Sequence, residues 1–271
     1  MKFTHSNTYN WDNAFRGLRH PMESYAKADS RFGLADEENW ISAEVNEVAQ
    51  SYIDNWKNEI VDPDKESIVE HLYENGTLDC GKHHACEYAF IGHNDLDLAQ
   101  RMIKAGSPND KFLRQIFVSV DITAPLYFWK ELDTYKVGTT ANSTSTMHKL
   151  ANTPITKECF EMDDYDGSLK LFDKEPYNLD EYVDDMWDSI VDYCETLRKK
   201  YLETKDMRYW KELIRVLPEG WLQTRTWTAD YAVLRNIIRW RKGHKLSEWK
   251  QFLDWCRTLP YADELLFVDN E

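Results

Sequence analysis

The amino-acid sequence predicts an α+β fold, in which several helices accompany an antiparallel sheet. The clearest helix spans 179–202, where acidic residues crowd the start and basic residues the end. The apolar residues that recur on its one face are Leu179, Tyr182, Val183, Met186, Ile190, Tyr193, Cys194, Leu197 and Tyr201. The stretch 116–122, Ile-Phe-Val-Ser-Val-Asp-Ile, is typical of a buried strand. No repeat, low-complexity tract or Gly/Ser linker interrupts the 271 residues, so we expect a single domain over 1–271.

The other elements of the first half follow from periodicity and end signals. Apolar residues at helical spacing predict an amphipathic helix over about 36–60. A second helix is expected over 95–105, closed by Gly106. Pro125 comes after the predicted strand and is expected to open a helix near its first turn.

Three helices are predicted in the last quarter of the chain. The first, 207–216, is stopped by Pro218, and the second, about 230–242, has Gly243 at its C-terminal end. Ser247 is expected to cap the N-terminus of the last helix, which runs to about 258. The inward face of the second helix is expected to carry Tyr231, Leu234, Ile238 and Arg241.

Charge and composition narrow the class of ligand. With 33 Lys and Arg against 48 Asp and Glu, the net charge is −15, which argues against a nucleic-acid polymer as the main ligand. A single nucleotide needs only a small basic pocket and remains compatible. The sequence has no apolar run of about 18 residues, so no membrane span is predicted. Five cysteines without framework spacing, and a start without an apolar signal core, lead us to expect a cytoplasmic protein.

The most informative segment runs from Leu217 to His244. Its helix ends with Arg241, and His244 follows after Lys242 and Gly243. This arrangement could aim a cation and an imidazole into one pocket, where a buried arginine would need an anionic or carbonyl partner. The other interpretation is that Arg241 complements a helix C-terminus and His244 is a polar loop residue. Spacing alone leaves both open.

The same segment resembles a signature of the flavin-dependent thymidylate synthases. The family's Leu-Pro, Trp-Thr-like and Asn-x-Arg-Ser-Leu elements, and the arginine that closes the following helix, correspond to Leu217-Pro218, Trp227-Thr228, Asp230, Leu234 and Arg241. Ala232 stands where the family has the arginine of Asn-x-Arg, and His244 comes one residue early. The resemblance implies that Arg241 meets the pyrimidine and acts in catalysis, and that His244 lies against the flavin. Arg215, one position away from a family arginine that contacts phosphate, is implied to bind the substrate.

A second resembling segment spans 129–148 and departs from the family pattern. Where the family has a basic Arg-His-Arg triplet, this chain has Thr134-Tyr135-Lys136, or the triplet one residue later, and the late arginine is Met147. Polar positions match by residue type at Thr140, Asn142, Ser145 and His148. The resemblance implies that Lys136 and Asn142 bind the cofactor and that Thr140 and Ser145 bind the substrate. The alternative is a Ser/Thr-rich surface loop.

Two further groups of residues have candidate roles. The stretch 16–27 loosely resembles a short element of the family, and this resemblance implies that Arg19 binds the substrate. The alternative is that the stretch is a basic surface turn. Residue types that can bind a metal also occur together, at a spacing that matches no known zinc site. These residues are Cys80, His83, His84 and Cys86. We therefore assign no metal, and the stretch is either a local loop or a metal site.

The resemblance implies a reaction and its cofactors. The reaction is transfer of a methyl or hydroxymethyl group from methylene-tetrahydrofolate to C5 of a deoxypyrimidine monophosphate such as dUMP, with FAD as hydride carrier and NADPH as reductant. The implied assembly is a homotetramer. The lost arginines leave two alternatives, a non-catalytic nucleotide-binding protein or an assembly protein on the same scaffold. No dinucleotide-binding GxGxxG, P-loop or Gly-x-Ser-x-Gly motif supports another class.

Overall fold

The structure is a computed structural model and describes residues 1–35, 86–145, 150–172 and 181–268. The helices in this part of the chain are α1 (Trp11–Arg19), α2 (His93–Ala105), α3 (Leu126–Leu132), α4 (Val183–Thr204), α5 (Met207–Val216), α6 (Tyr231–Arg241) and α7 (Ser247–Arg257). The strands are β1 (Lys2–Tyr9), β2 (Arg31–Ala35), β3 (Cys86–Phe90), β4 (Phe117–Pro125), β5 (Thr140–Ser143), β6 (Lys170–Phe172), β7 (Glu181–Tyr182) and β8 (Leu222–Asp230).

These elements confirm the predicted α+β class. Four strands form a sheet in the order β1-β4-β8-β5. Two smaller antiparallel pairs accompany it, β2 with β3 and β6 with β7. Within β4 successive residues alternate between buried and half-buried, which is the pattern of a strand that covers a core with one face.

The chain divides into two compact units. The first unit comprises Met1–Lys2, Asp121–Thr134 and Ala141–Thr226, and the second comprises Phe3–Val120, Tyr135–Thr140 and Trp227–Glu271. The single domain over 1–271 stays a prediction.

The first unit has its core between α4, α5 and the segment around 150–160. Its buried side chains are Leu150, Ile155, Phe160, Cys194, Leu197 and Leu213. Phe160 packs against Trp187 and Trp221, with ring centroids 5.3 and 5.5 Å away. Such aromatic pairs stabilise a small core beyond the area they bury.

The inward face of α4 differs from the prediction. Met186 and Tyr193 were expected to point inward with the other apolar residues, but they are 42% and 50% exposed. The predicted face is confirmed at Ile190, Cys194 and Leu197, and Trp187 and Val191 pack beside them. The buried face is therefore rotated toward Trp187 and Val191 and away from Met186 and Tyr193, a choice that depends on the packing partners and not on periodicity alone.

The second unit has an aromatic core around α1, α6 and α7. Trp11 meets Tyr231 edge to face at 5.3 Å, and Phe252 lies 5.7 Å from Trp249 and 5.2 Å from Trp255. The Tyr231 hydroxyl donates to the Pro260 carbonyl over 2.6 Å, so this fully buried ring keeps a partner for its polar end.

Most predicted helix boundaries agree with the structure within two to four residues. The helix over 95–105 begins at His93, the one over 207–216 is observed as Met207–Val216, and Pro125 directly precedes α3. The expected cap by Ser247 is wrong, because Leu246 has the extended backbone of the capping position and Ser247 is the first helical residue. The predicted helix over 36–60 lies outside the described residues.

Candidate functional site

The site around Arg241 is positioned by the two ends of α6. At the start, the Asp230 side chain accepts a hydrogen bond from the Val233 amide over 2.8 Å and caps the helix. At the end, Gly243 has φ +74°, a left-handed conformation that glycine adopts without a steric cost. The chain therefore turns sharply, and the His244 amide donates to the Arg241 carbonyl over 3.0 Å.

Arg241 lies between two aromatic side chains. Its guanidinium carbon is 4.3 Å from the Trp249 ring centroid and 5.4 Å from that of Tyr135. Its Nε donates to the Tyr135 hydroxyl over 3.0 Å. Trp249 is fully buried, so the guanidinium rests on a fixed ring face, an attractive cation–π arrangement. The Arg241 guanidinium is therefore held by two aromatic side chains and is not a solvated charge at the end of a helix.

His244 contacts the same indole. Its ring meets Trp249 edge to face with centroids 6.0 Å apart. The Leu246 amide donates to Nδ1 over 3.2 Å, which assigns the proton of the neutral imidazole to Nε2. The structure therefore brings Arg241 and His244 together on Trp249, which the spacing of the two residues had left open.

A loop over 135–139 packs along α6. Gly138 has φ +80°, and a Cβ added to it would lie 3.0 Å from Val233 Cγ2 and 3.1 Å from Asp230 Oδ2. The Thr139 hydroxyl donates to the Tyr135 carbonyl over 2.7 Å and closes the loop. Gly138 thus lies at the start of α6 while Tyr135 reaches its end.

The Asp230 carboxyl beside this loop is buried, and its pKa is raised. Burial is the main cause, and it outweighs the lowering effect of the Val233 and Ala232 amides at the start of α6. Lys136, by contrast, is exposed on the loop.

The other predicted site residues are distributed over both units. Asn142 and Ser145 lie in the first unit, on and just after β5, where Asn142 is exposed and Ser145 half-buried. Arg215, also in the first unit, is 63% exposed on α5 and pairs with Glu212 over 2.8 Å. Thr140 begins β5 and belongs to the second unit. Their roles in binding stay predictions.

Arg19 is neither exposed nor part of a surface turn. It is the last residue of α1, and its guanidinium forms an ion pair with Asp95 over 2.7 Å. It also donates to the Lys27 carbonyl over 3.1 Å and to the Ser24 hydroxyl over 3.4 Å. These bonds give Arg19 a role in holding the fold, while its predicted contact with a substrate stays a prediction.

Asp95 completes the network. Burial by itself would raise the pKa of this carboxyl, but hydrogen bonds from Ser30 and Arg19 and from the Asp29 amide together hold the pKa below its usual value. The carboxylate accepts from the Ser30 hydroxyl over 2.6 Å and from the amides of Ser30 and Asp29 over 3.0 and 3.1 Å. It is a charged structural centre, and the predicted site residue that it contacts is Arg19.

Tyr135 and Trp249 were not among the predicted site residues. Trp249 had a detectable signal, since Trp249, Phe252 and Cys256 recur at helical spacing and mark a buried face of the last helix. Tyr135 stands in the triplet that replaces the family's basic residues, but its contact with Arg241 had no signal, because the two residues lie 106 positions apart along the chain.

Metal and membrane sites find no support in the part of the chain that the structure describes. The described residues contain no group of three His, Cys, Asp or Glu side chains placed to hold a metal. Cys80, His83 and His84 lie outside the described residues, and Cys86 is described only as the start of β3. No described helix is both long and apolar enough to cross a membrane.

Comparisons with known proteins find similarity at the level of the fold. No protein-family model matches the sequence, and no curated protein is significantly similar to it. The structure is similar to flavin-dependent thymidylate synthase ThyX from Helicobacter pylori in complex with FAD and dUMP, at 13% identity and a TM-score of 0.47, over 82% of this chain and 92% of that one.

Two further solved structures are similar to this chain. A second structure of thymidylate synthase X from Helicobacter pylori, with FAD and dUMP, has 14% identity and a TM-score of 0.46, over 89% of this chain and 98% of that one. The UMP/dUMP methylase PolB from Streptomyces cacaoi, bound with 5-Br dUMP, has 12% identity and a TM-score of 0.43, over 89% and 95%. At these values the similarities carry no argument about what this chain binds or does.

Proposed function

We propose that this chain is a flavin-dependent enzyme that transfers a methyl or hydroxymethyl group to C5 of a deoxypyrimidine monophosphate such as dUMP. The donor would be methylene-tetrahydrofolate and the assembly a homotetramer. NADPH would supply the two electrons that methyl transfer needs, whereas hydroxymethyl transfer would take up water without net reduction. The observation that carries the proposal is the common contact of Arg241 and His244 with Trp249. The resemblance of the 217–244 segment implies that this pair faces a pyrimidine and a flavin, and in the fold the pair shares one aromatic ring.

Arg241 is the residue that acts on the pyrimidine in this proposal. Negative charge grows on a pyrimidine carbonyl when C5 is activated as a carbon nucleophile, and a cation aimed at that oxygen stabilises the charge. The Trp249 face and the Tyr135 hydroxyl already hold the guanidinium, so little reorganisation is needed during the reaction. A half-buried arginine in an aromatic setting is also less screened by water than a surface cation.

His244 is the residue proposed to lie against the flavin. Its ring is half-buried and edge-on to Trp249, so it offers a flat, fixed surface for another ring, with a donor at Nε2. When bound, FAD would carry the hydride and the folate would carry the one-carbon unit. The chain itself would orient the two rings and hold the substrate.

The phosphates of FAD need cationic or hydrogen-bonding partners from the chain. In the 134–139 loop the cation is Lys136, and the hydroxyls of Thr134 and Thr139 donate to the carbonyls of Glu131 and Tyr135 over 2.7 Å each. The proposal therefore assigns the cofactor to Lys136 and Asn142. It assigns the substrate phosphate to the exposed Arg215, with hydroxyl contacts from Thr140 and Ser145.

This loop favours a second candidate function. Hydrogen bonds to charged groups contribute about 1.5–3 kcal/mol each, so losing a basic triplet weakens phosphate binding by orders of magnitude unless other groups replace it. A protein that keeps a pyrimidine site at Arg241 but no longer holds FAD would be a non-catalytic nucleotide-binding protein. An assembly protein on the same scaffold would hold neither ligand.

Ligand titrations separate these functions. The purified chain is titrated with FAD, with dUMP and with both, and visible absorbance and melting temperature are followed. Uptake of FAD together with a dUMP-induced rise in melting temperature is expected for the enzyme. A response to dUMP without FAD uptake would leave the nucleotide-binding function, and no response to either ligand would contradict both.

Arg241→Ala tests the residue on which the proposal depends. Removing a charged contact of about 1.5–3 kcal/mol is expected to weaken dUMP binding by about tenfold to a hundredfold. The matched control is Arg239→Ala, which removes an exposed arginine from the same helix and should leave the dissociation constant unchanged. Equal affinity of Arg241→Ala and the wild type, measured by calorimetry, would refute the role of Arg241.

A further inference from the structure

We propose that Tyr135 is a positioning residue that sets the orientation of Arg241 for the pyrimidine. This inference rests on the proposed function and deepens it. In the segment where the resemblance expects a basic triplet for flavin and phosphate, this chain instead supplies an aromatic hydroxyl to the catalytic arginine.

The first step is the geometry of the guanidinium. Its Nε donates to the Tyr135 hydroxyl over 3.0 Å, and its central carbon lies 4.3 Å from the Trp249 centroid. The Tyr135 and Trp249 rings are 6.3 Å apart and inclined at 69° to each other. A planar guanidinium that rests on one ring and is bonded through Nε to a second residue has its plane defined. The direction of the Nη atoms follows from that plane.

The second step is the rigidity of Tyr135 itself. The residue belongs to a loop closed by the Thr139 hydroxyl, which donates to the Tyr135 carbonyl. At Gly138 the same loop packs closely against Val233 and Asp230 at the start of α6. The loop therefore contacts α6 at two places, at the first turn through Gly138 and at the side chain of the last residue through the Tyr135 hydroxyl. Tyr135 is therefore held in a fixed position relative to the helix that carries Arg241.

The third step is the consequence for recognition. An arginine without such support samples many rotamers and must be ordered when a ligand binds, which weakens affinity. With Tyr135 in place, that ordering precedes binding. The loop therefore contributes to the pyrimidine end of the ligand through Arg241, and Lys136 is the cation that it offers to a phosphate.

Tyr135→Phe tests the inference because it keeps the ring and removes only the hydroxyl. We expect dUMP to bind about tenfold more weakly, as for the loss of one hydrogen bond to a charged group. The melting temperature should change no more than in Tyr209→Phe, the matched control, which removes the same hydroxyl from an exposed helix position in the other unit.

A double-mutant cycle shows whether Tyr135 acts through Arg241. In an Arg241→Lys background the side chain has no Nε, so adding Tyr135→Phe is expected to change dUMP affinity less than twofold, although it changes it tenfold in the wild type. Similar weakening in both backgrounds, or none in the wild type, would overturn the positioning role. A wild-type chain that binds no dUMP would overturn the proposed function itself, and the inference with it.

Discussion

Replacing Asp95 by alanine is expected to destabilise the second unit strongly. Asp95 is 1% exposed, and its partner Arg19 is 4% exposed, so the ion pair between them is buried. The substitution removes the acceptor for Arg19, for the Ser30 hydroxyl and for the amides of Ser30 and Asp29. Breaking one side of a buried pair costs about 3–5 kcal/mol, because the remaining charge stays desolvated.

The expected fall in melting temperature is on the order of 10 °C for a chain of this size. The matched control is Asp97→Ala on the same helix, since Asp97 pairs with Arg101 over 2.9 Å while both side chains are more than half exposed, at 56% and 61%. Exposed pairs of this kind contribute about 0.3–0.5 kcal/mol. Thermal unfolding followed by circular dichroism measures both variants. Similar melting temperatures for Asp95→Ala and Asp97→Ala would refute the reasoning.

The pH dependence of stability provides a second readout of the same carboxyl. The pKa of Asp95 in the folded chain lies below the usual value of an aspartate, so its contribution to stability is fully present above that usual value. The contribution is lost as the pH falls through the lower, folded pKa. Asp95→Ala should therefore flatten the acid limb of the stability curve, and an unchanged acid limb would show that the carboxyl is not held in its charged form.

Two further predictions concern a glycine and a carboxylate. Gly138→Ala is expected to cost more stability than Gly243→Ala in thermal unfolding, because both positions have positive φ but a Cβ meets neighbours within about 3 Å only at Gly138; equal losses would argue against the close packing of the loop on α6. Glu195, whose pKa is lowered to about 2 chiefly by its hydrogen bonds with Arg198, should stabilise the first unit above about pH 4.5 and lose that effect as the pH falls toward 2. In Glu195→Gln, an acid unfolding curve identical to that of the wild type would contradict this.

Local sequence signals predicted much of the fold because they act over a few residues. Gly243 marks the end of α6, Pro218 follows the end of α5, and the predicted strand at 116–122 lies mostly within β4. Each signal depends on backbone conformation or on burial of one face, both of which neighbouring residues specify. The same signals placed Ile190, Cys194 and Leu197 correctly on the inward face of α4 but also placed Met186 and Tyr193 there, because only distant packing partners decide how far the buried face extends.

For the site, too, local sequence signals determined one part and the tertiary structure the other. The sequence by itself determined that Arg241 and His244 lie three residues apart across a helix end, since Gly243 turns the chain there. Only the tertiary structure decided that both residues contact Trp249. It also decided that Tyr135 bonds with Arg241, 106 positions away, and that Arg19 pairs with Asp95, 76 positions away. Such pairs depend on the path of the whole chain, which periodicity and capping signals do not encode, because those signals act within one helix or one turn.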